Sequence, residues 1–270
     1  MGMGTKGCSP ELEALFHGNE QFRASIAATN PGLLKVLAAE GQRPPFMLLD
    51  CSDSRVGEQS IFSAKPGTMF TTGNIANQYN ETDLNSKSVL SYAVSVLGVK
   101  HVIVMGHYGC GGVGAAIMRK PCEGEEGDTL SGAVQSWIRP IRAIYQNSRR
   151  PEIVKHREKY GLMGVREVPH LHDPAFRALV EENVKANVVR IARSSVITNH
   201  YAALADLPAT TTTPTPKPRQ VPPIPMPLRD VFIHGWVYDI ETGEVADLGV
   251  SVGPPGRDIP AMPWPRLVHA

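Results

Sequence analysis

The segment FMLLDCSDSRV, residues 46–56, joins a short apolar run to a cluster of reactive side chains. A continuous apolar run of this length is typical of a strand in a parallel sheet that is covered on both faces. In an extended chain alternate side chains share a face, so Cys51, Asp53 and Arg55 would point the same way. A thiol, a carboxylate and a guanidinium at the end of a buried strand need compensating partners, and their grouping indicates a functional site.

The segment HVIVMGHYGCGG, residues 101–112, has the same organisation. A second apolar strand is predicted up to Gly106, and His107 and Cys110 follow it directly. In an open parallel sheet, the carboxyl ends of the strands border the binding crevice. If the two strands lie side by side, Cys51 joins His107 and Cys110 at that edge.

These three side chains form a donor set that suits zinc by softness and geometry. Three protein ligands leave one tetrahedral position open, as in catalytic zinc sites. Asp53 would either bind the metal itself or accept a hydrogen bond beside it. Arg55 could hold the Asp53 carboxylate through two hydrogen bonds and keep it ionised. An ordinary salt bridge remains the alternative for this pair, and His170 and His172 remain alternative ligands.

Helical and strand patterns alternate along the chain, which predicts an α/β fold with a mostly parallel central β-sheet flanked by helices. An N-terminal helical arm is expected at residues 9–40, with one amphipathic helix that begins after Ser9 and a second helix over 33–40. The apolar stripe of the first helix consists of Leu12, Leu15, Phe16, Phe22 and Ile26. Further expected elements are a strand at 68–72, a helix at 83–97, a helix from Gly112, a long helix after Asp173-Pro174 and a C-terminal hairpin at 230–245.

The domain organisation is predicted to be a single domain over residues 1–270. A Pro/Thr-rich stretch at 205–230 breaks the alternation of helices and strands. Proline is incompatible with a helix interior or a central strand, so this stretch is expected to be a surface insertion. The alternative is a recognition site for a proline-binding module.

The composition excludes several classes of partner. The formal net charge of +1 does not resemble the basic footprint of a nucleic-acid-binding protein. No apolar run approaches the length of a membrane span, and the N-terminus lacks a secretory or transit pattern. We therefore expect a cytoplasmic protein without a nucleic-acid or membrane partner, in which the four cysteines do not form disulfides.

CSDSRV at 51–56 and GHYGCGGV at 106–113 resemble the two metal-site motifs of the β-class carbonic anhydrases, in the plant-like branch and of fungal type. The resemblance continues in the same order through PGTMFTTGNIAN (66–77), SYAVSVLGVKHVIVMGH (91–107), EENVKANVVRI (181–191) and GWVYDIETGEV (235–245). It implies a lyase that hydrates CO₂ reversibly to bicarbonate and a proton by a zinc-bound hydroxide, with one Zn²⁺ per subunit.

The resemblance also assigns roles to individual residues. It implies Cys51, His107 and Cys110 as zinc ligands and Asp53 and Arg55 as a catalytic dyad. The substrate pocket would be lined by Gln42, Phe70, Ile75, Tyr92 and Gly111. The assembly would be a homodimer or a dimer of dimers, in which the pocket is shared between subunits and the first helix packs on the partner.

Two positions depart from the family pattern. Gly73 stands where the family usually has arginine, and Leu48 stands where another branch has tryptophan. That branch uses the two residues to bind bicarbonate at a regulatory site. Their absence predicts that this enzyme is not regulated by a closure that bicarbonate induces.

Two other functions remain compatible with the same donor set. One is hydrolysis of CS₂ or COS on the same scaffold, since the attacking group would be the same. The other is a non-catalytic zinc-binding module used for assembly, against which the intact pair of Asp53 and Arg55 and the pocket residue Gln42 argue.

Overall fold

The computed structural model describes residues 9–119, 132–161, 164–206 and 228–267. The chain divides into two compact units, and the boundary between them lies at Gln42 and Arg43. The described part of the first unit is 9–42. The second unit contains the sheet and every other described element. Whether residues 1–270 form one domain stays a prediction.

The N-terminal unit consists of two helices, α1 (Pro10–Thr29) and α2 (Leu33–Glu40), as the sequence predicts. Pro10 occupies the first helical position, where its missing N–H costs no hydrogen bond. The Ser9 hydroxyl contacts the Glu11 carboxylate and does not cap the backbone. No residue of α1 is buried, and Leu15 and Phe16 are 73% and 62% exposed. Most of the apolar stripe of α1 is therefore exposed in the part of the chain that the structure describes.

The second unit is built on a five-stranded sheet with the order β2-β1-β3-β4-β5. The strands are β1 (Phe46–Cys51), β2 (Met69–Asn74), β3 (His101–His107), β4 (Phe232–Tyr238) and β5 (Val245–Asp247). The first four are parallel, and β5 pairs antiparallel with β4 as the predicted C-terminal hairpin. The sequence-based α/β fold with a mostly parallel sheet is thus confirmed.

Eight α-helices surround the sheet in the described part of this unit. They are α3 (Glu58–Ile61), α4 (Leu84–Ser91), α5 (Gly111–Ile117), α6 (Gly132–Trp137), α7 (Arg139–Asn147), α8 (Pro151–Tyr160), α9 (Pro174–Ala192) and α10 (Ser195–Ala205). A π-helical segment, Tyr92–Leu97, continues α4 and completes the helix predicted at 83–97. A 3₁₀ turn, Ile75–Asn77, follows β2.

The starts of α4 and α9 follow from local capping. The Asp83 carboxylate accepts hydrogen bonds from the backbone N–H groups of Asn85 and Ser86. The Asp173 carboxylate accepts one from Phe176, at 2.9 Å. Each cap satisfies backbone donors that the first turn of a helix leaves without an intrahelical partner.

The larger of two hydrophobic core clusters lies between α9 and the sheet. The apolar side of α9, which includes Leu179, Val184 and Ile191, is fully buried. Gly106 in β3 permits a close approach, because a Cβ atom there would lie 2.5 Å from Val184 Cγ2. The strand that ends in His107 is therefore held directly against α9.

Most of the predicted Pro/Thr-rich insertion at 205–230 falls outside the described residues. Within the described segments, no helix combines the length and the apolar character that a membrane crossing requires.

Candidate metal centre

Three buried side chains converge where β1 and β3 end. Cys51 is the last residue of β1, His107 is the last residue of β3, and Cys110 is the N-cap residue of α5. Their ligand atoms all lie within 4.8 Å of one another, and the two sulfur atoms are 3.9 Å apart. The proximity expected from two adjacent strand ends is observed, while the ligand roles of the three residues stay predictions.

The His107 ring is oriented by its neighbour in the chain. His107 Nδ1 lies 2.9 Å from the Tyr108 carbonyl oxygen, which can only accept, so Nδ1 carries the proton. Nε2 is then the unprotonated nitrogen of the neutral ring. This atom is fully buried and has no hydrogen-bond partner among the described residues. A buried nitrogen without a partner, beside two sulfur atoms, has the form in which histidine binds a metal.

The geometry of the two sulfur atoms fits zinc. Tetrahedral coordination at a Zn–S distance of about 2.3 Å places two thiolates about 3.8 Å apart. The observed separation is 3.9 Å, and both cysteines are free. Cys51, Cys110 and His107 Nε2 would therefore hold the ion, and all three side chains are shielded from water.

The Cys51 and Cys110 sulfur atoms are also within hydrogen-bonding distance of each other. The hydrogen bond between the sulfur atoms lowers the pKa of Cys51, because the thiolate is stabilised by the remaining S–H group. The same hydrogen bond, together with burial, raises the pKa of Cys110. A divalent cation would be needed to hold both groups as thiolates, since metal binding requires deprotonated sulfur.

The Asp53 carboxylate lies beside the cluster and is clamped by Arg55. Arg55 Nε donates to Asp53 Oδ1 at 2.9 Å, and Arg55 Nη2 donates to Oδ2 at 2.7 Å. These bonds lower the pKa of Asp53 to about 2. Arg55 Nη2 also donates to the Gly109 carbonyl at 3.2 Å, which ties the pair to the loop that carries Cys110. Asp53 is thus ionised at neutral pH and fixed in position.

Gly111 is the first residue of α5, directly after Cys110, and Ile75 in the 3₁₀ turn packs against the same helical turn. A Cβ atom on Gly112 would be 2.7 Å from Ile75 Cγ2, so Ile75 packs against this helical turn. Gly111 faces open space, because no atom lies within 4 Å of the position of its Cβ. Trp137 Nε1 donates to the Ile75 carbonyl at 2.8 Å and holds the turn in place. The sequence analysis did not identify this role of Trp137.

Phe70 and Tyr92 form a separate pair, with ring centroids 5.8 Å apart. Phe70 aligns with Met47, four residues before Cys51 in β1. At about 3.3 Å per residue, it lies about 13 Å from the end of the strand that carries Cys51. Gln42 is exposed and belongs to the N-terminal unit. The pocket roles of these three residues stay predictions.

His170 and His172 lie outside the cluster. Their rings are 5.3 Å apart, and His172 pairs with Glu241 at 3.3 Å. In the described parts of the chain, only one group of three or more His, Cys, Asp or Glu side chains is close enough to share one ion, and it consists of Cys51, His107 and Cys110. The alternative ligand set is therefore not formed.

Asp50 is a buried carboxyl group that the sequence analysis treated only as part of a strand. It is 3% exposed, and burial raises its pKa to about 8. A Cβ atom on Gly73 would lie 3.2 Å from Asp50 Oδ1. The signal in the sequence is an aspartate that interrupts the apolar run directly before Cys51.

Comparison with known proteins identifies relatives along most of the chain. The carbonic anhydrase family profile matches residues 46–205. A carbonic anhydrase of Emericella nidulans is 30% identical over 241 residues, covering 88% of this chain and 84% of the relative. The crystal structure of a β-carbonic anhydrase of Aspergillus fumigatus matches with a TM-score of 0.64 and 28% identity, covering 89% of this chain and 91% of that one. Sordaria macrospora β-carbonic anhydrases, described as tetrameric, share the fold with a TM-score of 0.66 at 23% identity, covering 90% of this chain and 100% of that one.

Proposed function

The chain belongs to the β class of the carbonic anhydrases, and from that premise we propose that it hydrates CO₂ reversibly to bicarbonate and a proton at a zinc ion held by Cys51, His107 and Cys110. The observation that carries this proposal is the buried cluster of two free thiols and an unpaired imidazole nitrogen, 4.8 Å or less apart, beside an ionised carboxylate. A structural site would have no use for that carboxylate.

A zinc ion bound there would lower the pKa of water and supply a nucleophile near neutral pH. Because Cys51 and Cys110 are thiolates when they bind metal, they neutralise the charge of the ion and weaken this effect. We therefore expect the hydration activity to rise with pH.

Asp53 is proposed to orient the attacking water. Its carboxylate is ionised above about pH 2, so at working pH it accepts a hydrogen bond and does not donate one. Oδ2 lies 3.8 Å from His107 Nε2, which is the atom that would face the ion. The Arg55 side chain donates a hydrogen bond to each oxygen of the Asp53 carboxylate and so holds the carboxylate in one orientation.

The substrate pocket is proposed to be shared between subunits. Ile75 and Gly111 border the cluster within one chain, whereas Phe70 and Tyr92 pack together about 13 Å away along the strand. We therefore propose that Phe70 and Tyr92 line the pocket of a neighbouring copy and that Gln42 contacts the substrate. The expected assembly is a homodimer or a dimer of dimers, in line with the tetramers described for Sordaria macrospora. The cytoplasmic location stays a prediction.

The proposal is tested by measuring zinc content and CO₂ hydration on the purified protein before and after chelation. We expect close to one zinc per chain, activity that chelation abolishes, and recovery on adding Zn²⁺. A zinc-loaded protein that does not hydrate CO₂ would contradict the proposal. Parallel assays with COS and CS₂ would then separate a hydrolase from a non-catalytic zinc module.

A further inference from the structure

Tyr108, the residue between His107 and Gly109, is restrained on three sides. Its backbone N–H donates to the Tyr238 carbonyl at 3.0 Å, which ties it to the end of β4. Its hydroxyl donates to Glu181 Oε1 at 2.7 Å, and the Arg177 guanidinium carbon lies 3.4 Å from the centre of its ring. Only 3% of the residue is exposed.

The groups that hold the Tyr108 ring are themselves anchored. Glu181 on α9 is 4% exposed, and its other oxygen accepts a hydrogen bond from Arg150, the N-cap residue of α8. Arg177, also on α9, donates to Asp239 Oδ2 at 3.0 Å in the turn between β4 and β5. The two side chains of α9 that contact the Tyr108 ring are therefore held in place by the start of α8 and by the hairpin.

We propose that Tyr108 is a positioning residue for the His107 imidazole. The contacts of its side chain with Glu181 and Arg177 on α9 fix Tyr108, and Tyr108 in turn sets the orientation of the imidazole. The link is the Tyr108 carbonyl oxygen, which accepts the hydrogen bond from His107 Nδ1 at 2.9 Å. Because the ring and the N–H group of Tyr108 are both held, the direction of that carbonyl is held as well. His107 Nε2 consequently stays directed at the two sulfur atoms.

This inference rests on the proposed zinc site and adds a role for residues outside it. The partners that orient a metal-binding histidine affect metal affinity by about 10- to 100-fold when they are changed. The buried hydroxyl-carboxylate contact between Tyr108 and Glu181 lies one step further from the metal than the carbonyl. We therefore expect an effect at the lower end of that range.

The test compares Tyr108→Phe with a matched variant, Tyr145→Phe. Tyr145 is 2% exposed, and its hydroxyl bonds to His156 Nδ1 at 2.8 Å between α7 and α8. Both variants delete one hydroxyl from a buried tyrosine and should lower thermal stability similarly. Only Tyr108→Phe should weaken zinc affinity, by about tenfold in a chelator competition assay. It should also alter the visible absorption of the Co²⁺-substituted protein, which depends on ligand geometry.

A second variant, Arg177→Met, removes the charge over the ring and leaves the Tyr108 hydroxyl in place. It should change the Co²⁺ spectrum in the same direction, and it provides the test if Tyr108→Phe does not fold. Parental zinc affinity and Co²⁺ spectra in the Tyr108 and Arg177 variants would overturn the inference. If the parent protein itself bound no zinc, the proposed function would fail first, and the inference would fail with it.

Discussion

The Asp53 carboxylate oxygen Oδ2 lies 3.8 Å from His107 Nε2, although Asp53 follows β1 and His107 ends β3. The same oxygen accepts a hydrogen bond from Arg55 at 2.7 Å. An ion held at His107 Nε2 would therefore have an ionised, immobile carboxylate as its immediate neighbour. This arrangement separates the roles of metal binding and water orientation, and each can be tested alone.

Replacing Asp53 with asparagine should remove activity and leave the metal in place. The substitution keeps the size of the side chain but replaces the charged carboxylate, whose oxygen accepts the hydrogen bond of the attacking water, with a neutral amide. We expect kcat for CO₂ hydration to fall by about 100-fold or more, with zinc content unchanged. Asp230→Asn, which breaks the exposed pair with Arg257, is the matched control and should retain full activity. An active, zinc-loaded Asp53→Asn protein would refute the assigned role.

Arg55→Gln should change the acid stability of the metal-free protein. The hydrogen bonds from Arg55 hold the pKa of Asp53 at about 2, below its ordinary value of 3.8. When folding lowers the pKa of a carboxyl group, the fold is stabilised at pH values above the ordinary pKa. This contribution disappears as the pH falls through the lowered pKa. The parent should therefore exceed the variant in stability above about pH 4, with the difference vanishing towards pH 2.

The stability difference for Arg55→Gln should be about 1 kcal/mol or less, because solvent screens the pair. The Arg55 side chain is 54% exposed. Urea unfolding at pH 6 and pH 3, in the presence of a chelator, measures this difference. A gap that widened on acidification would show that Arg55 does not act through the pKa of Asp53.

Cys51→Ser should abolish zinc binding. A serine hydroxyl does not ionise at neutral pH and is a much poorer zinc ligand than a thiolate. The variant should contain less than one tenth of the parental zinc after exhaustive dialysis and should not hydrate CO₂. Cys8→Ser makes the same change at a cysteine for which the sequence indicates no metal role, and it should retain zinc. Equal zinc contents in the two variants would remove Cys51 from the ligand set.

Two adjacent glycines should respond differently to alanine. At Gly112 a Cβ atom would lie 2.7 Å from Ile75 Cγ2 and 3.1 Å from Ala76 Cβ, whereas at Gly111 it would meet no atom within 4 Å. We expect Gly112→Ala to destabilise the fold by about 1–3 kcal/mol, because overpacking displaces the 3₁₀ turn. Gly111→Ala should unfold at the parental temperature. Calorimetry measures the melting temperatures of both variants, and equal values would contradict this packing.

The exposed apolar stripe of α1 predicts a contact between subunits. Phe16 is 62% exposed, and a glutamate in its place would bring a charge into that contact. Gln21→Glu adds the same charge on the opposite face of the helix, as the 3.6-residue period places it there. Phe16→Glu should shift the protein to a smaller species in sedimentation velocity, and Gln21→Glu should not. An unchanged assembly in both variants would exclude this role for α1.

The sequence is sufficient for features that depend on a few neighbouring residues. The aspartate caps of α4 and α9 involve backbone groups no more than three positions away, so the sequence places the start of the long helix after Asp173 and begins the other helix at Asp83, its N-cap residue. The apolar runs of β1 and β3 are equally local. The proximity of Cys51 to His107 follows from one further rule, that parallel strands end at the same edge of a sheet.

Helices with weak apolar patterns could not be predicted in this way. α8 buries only Ile153 and His156, and its other residues are mostly charged or polar. Its place in the fold depends on contacts with α9. The recurrence of apolar residues three or four positions apart, on which the prediction of helices rests, is nearly absent there.

Residue types and their spacing in the sequence determined the sheet, the donor set and the charged pair beside it. Only the tertiary structure decided that His107 Nε2 is left without a hydrogen bond, that Asp50 is buried, and that Tyr108 meets Glu181, 73 residues further along the chain. The physical reason is that each of these features depends on packing between distant parts of the chain; the contact of Tyr108 with Glu181, for instance, depends on how α9 packs on β3. That arrangement is set by packing at Gly106, between groups that no local pattern connects.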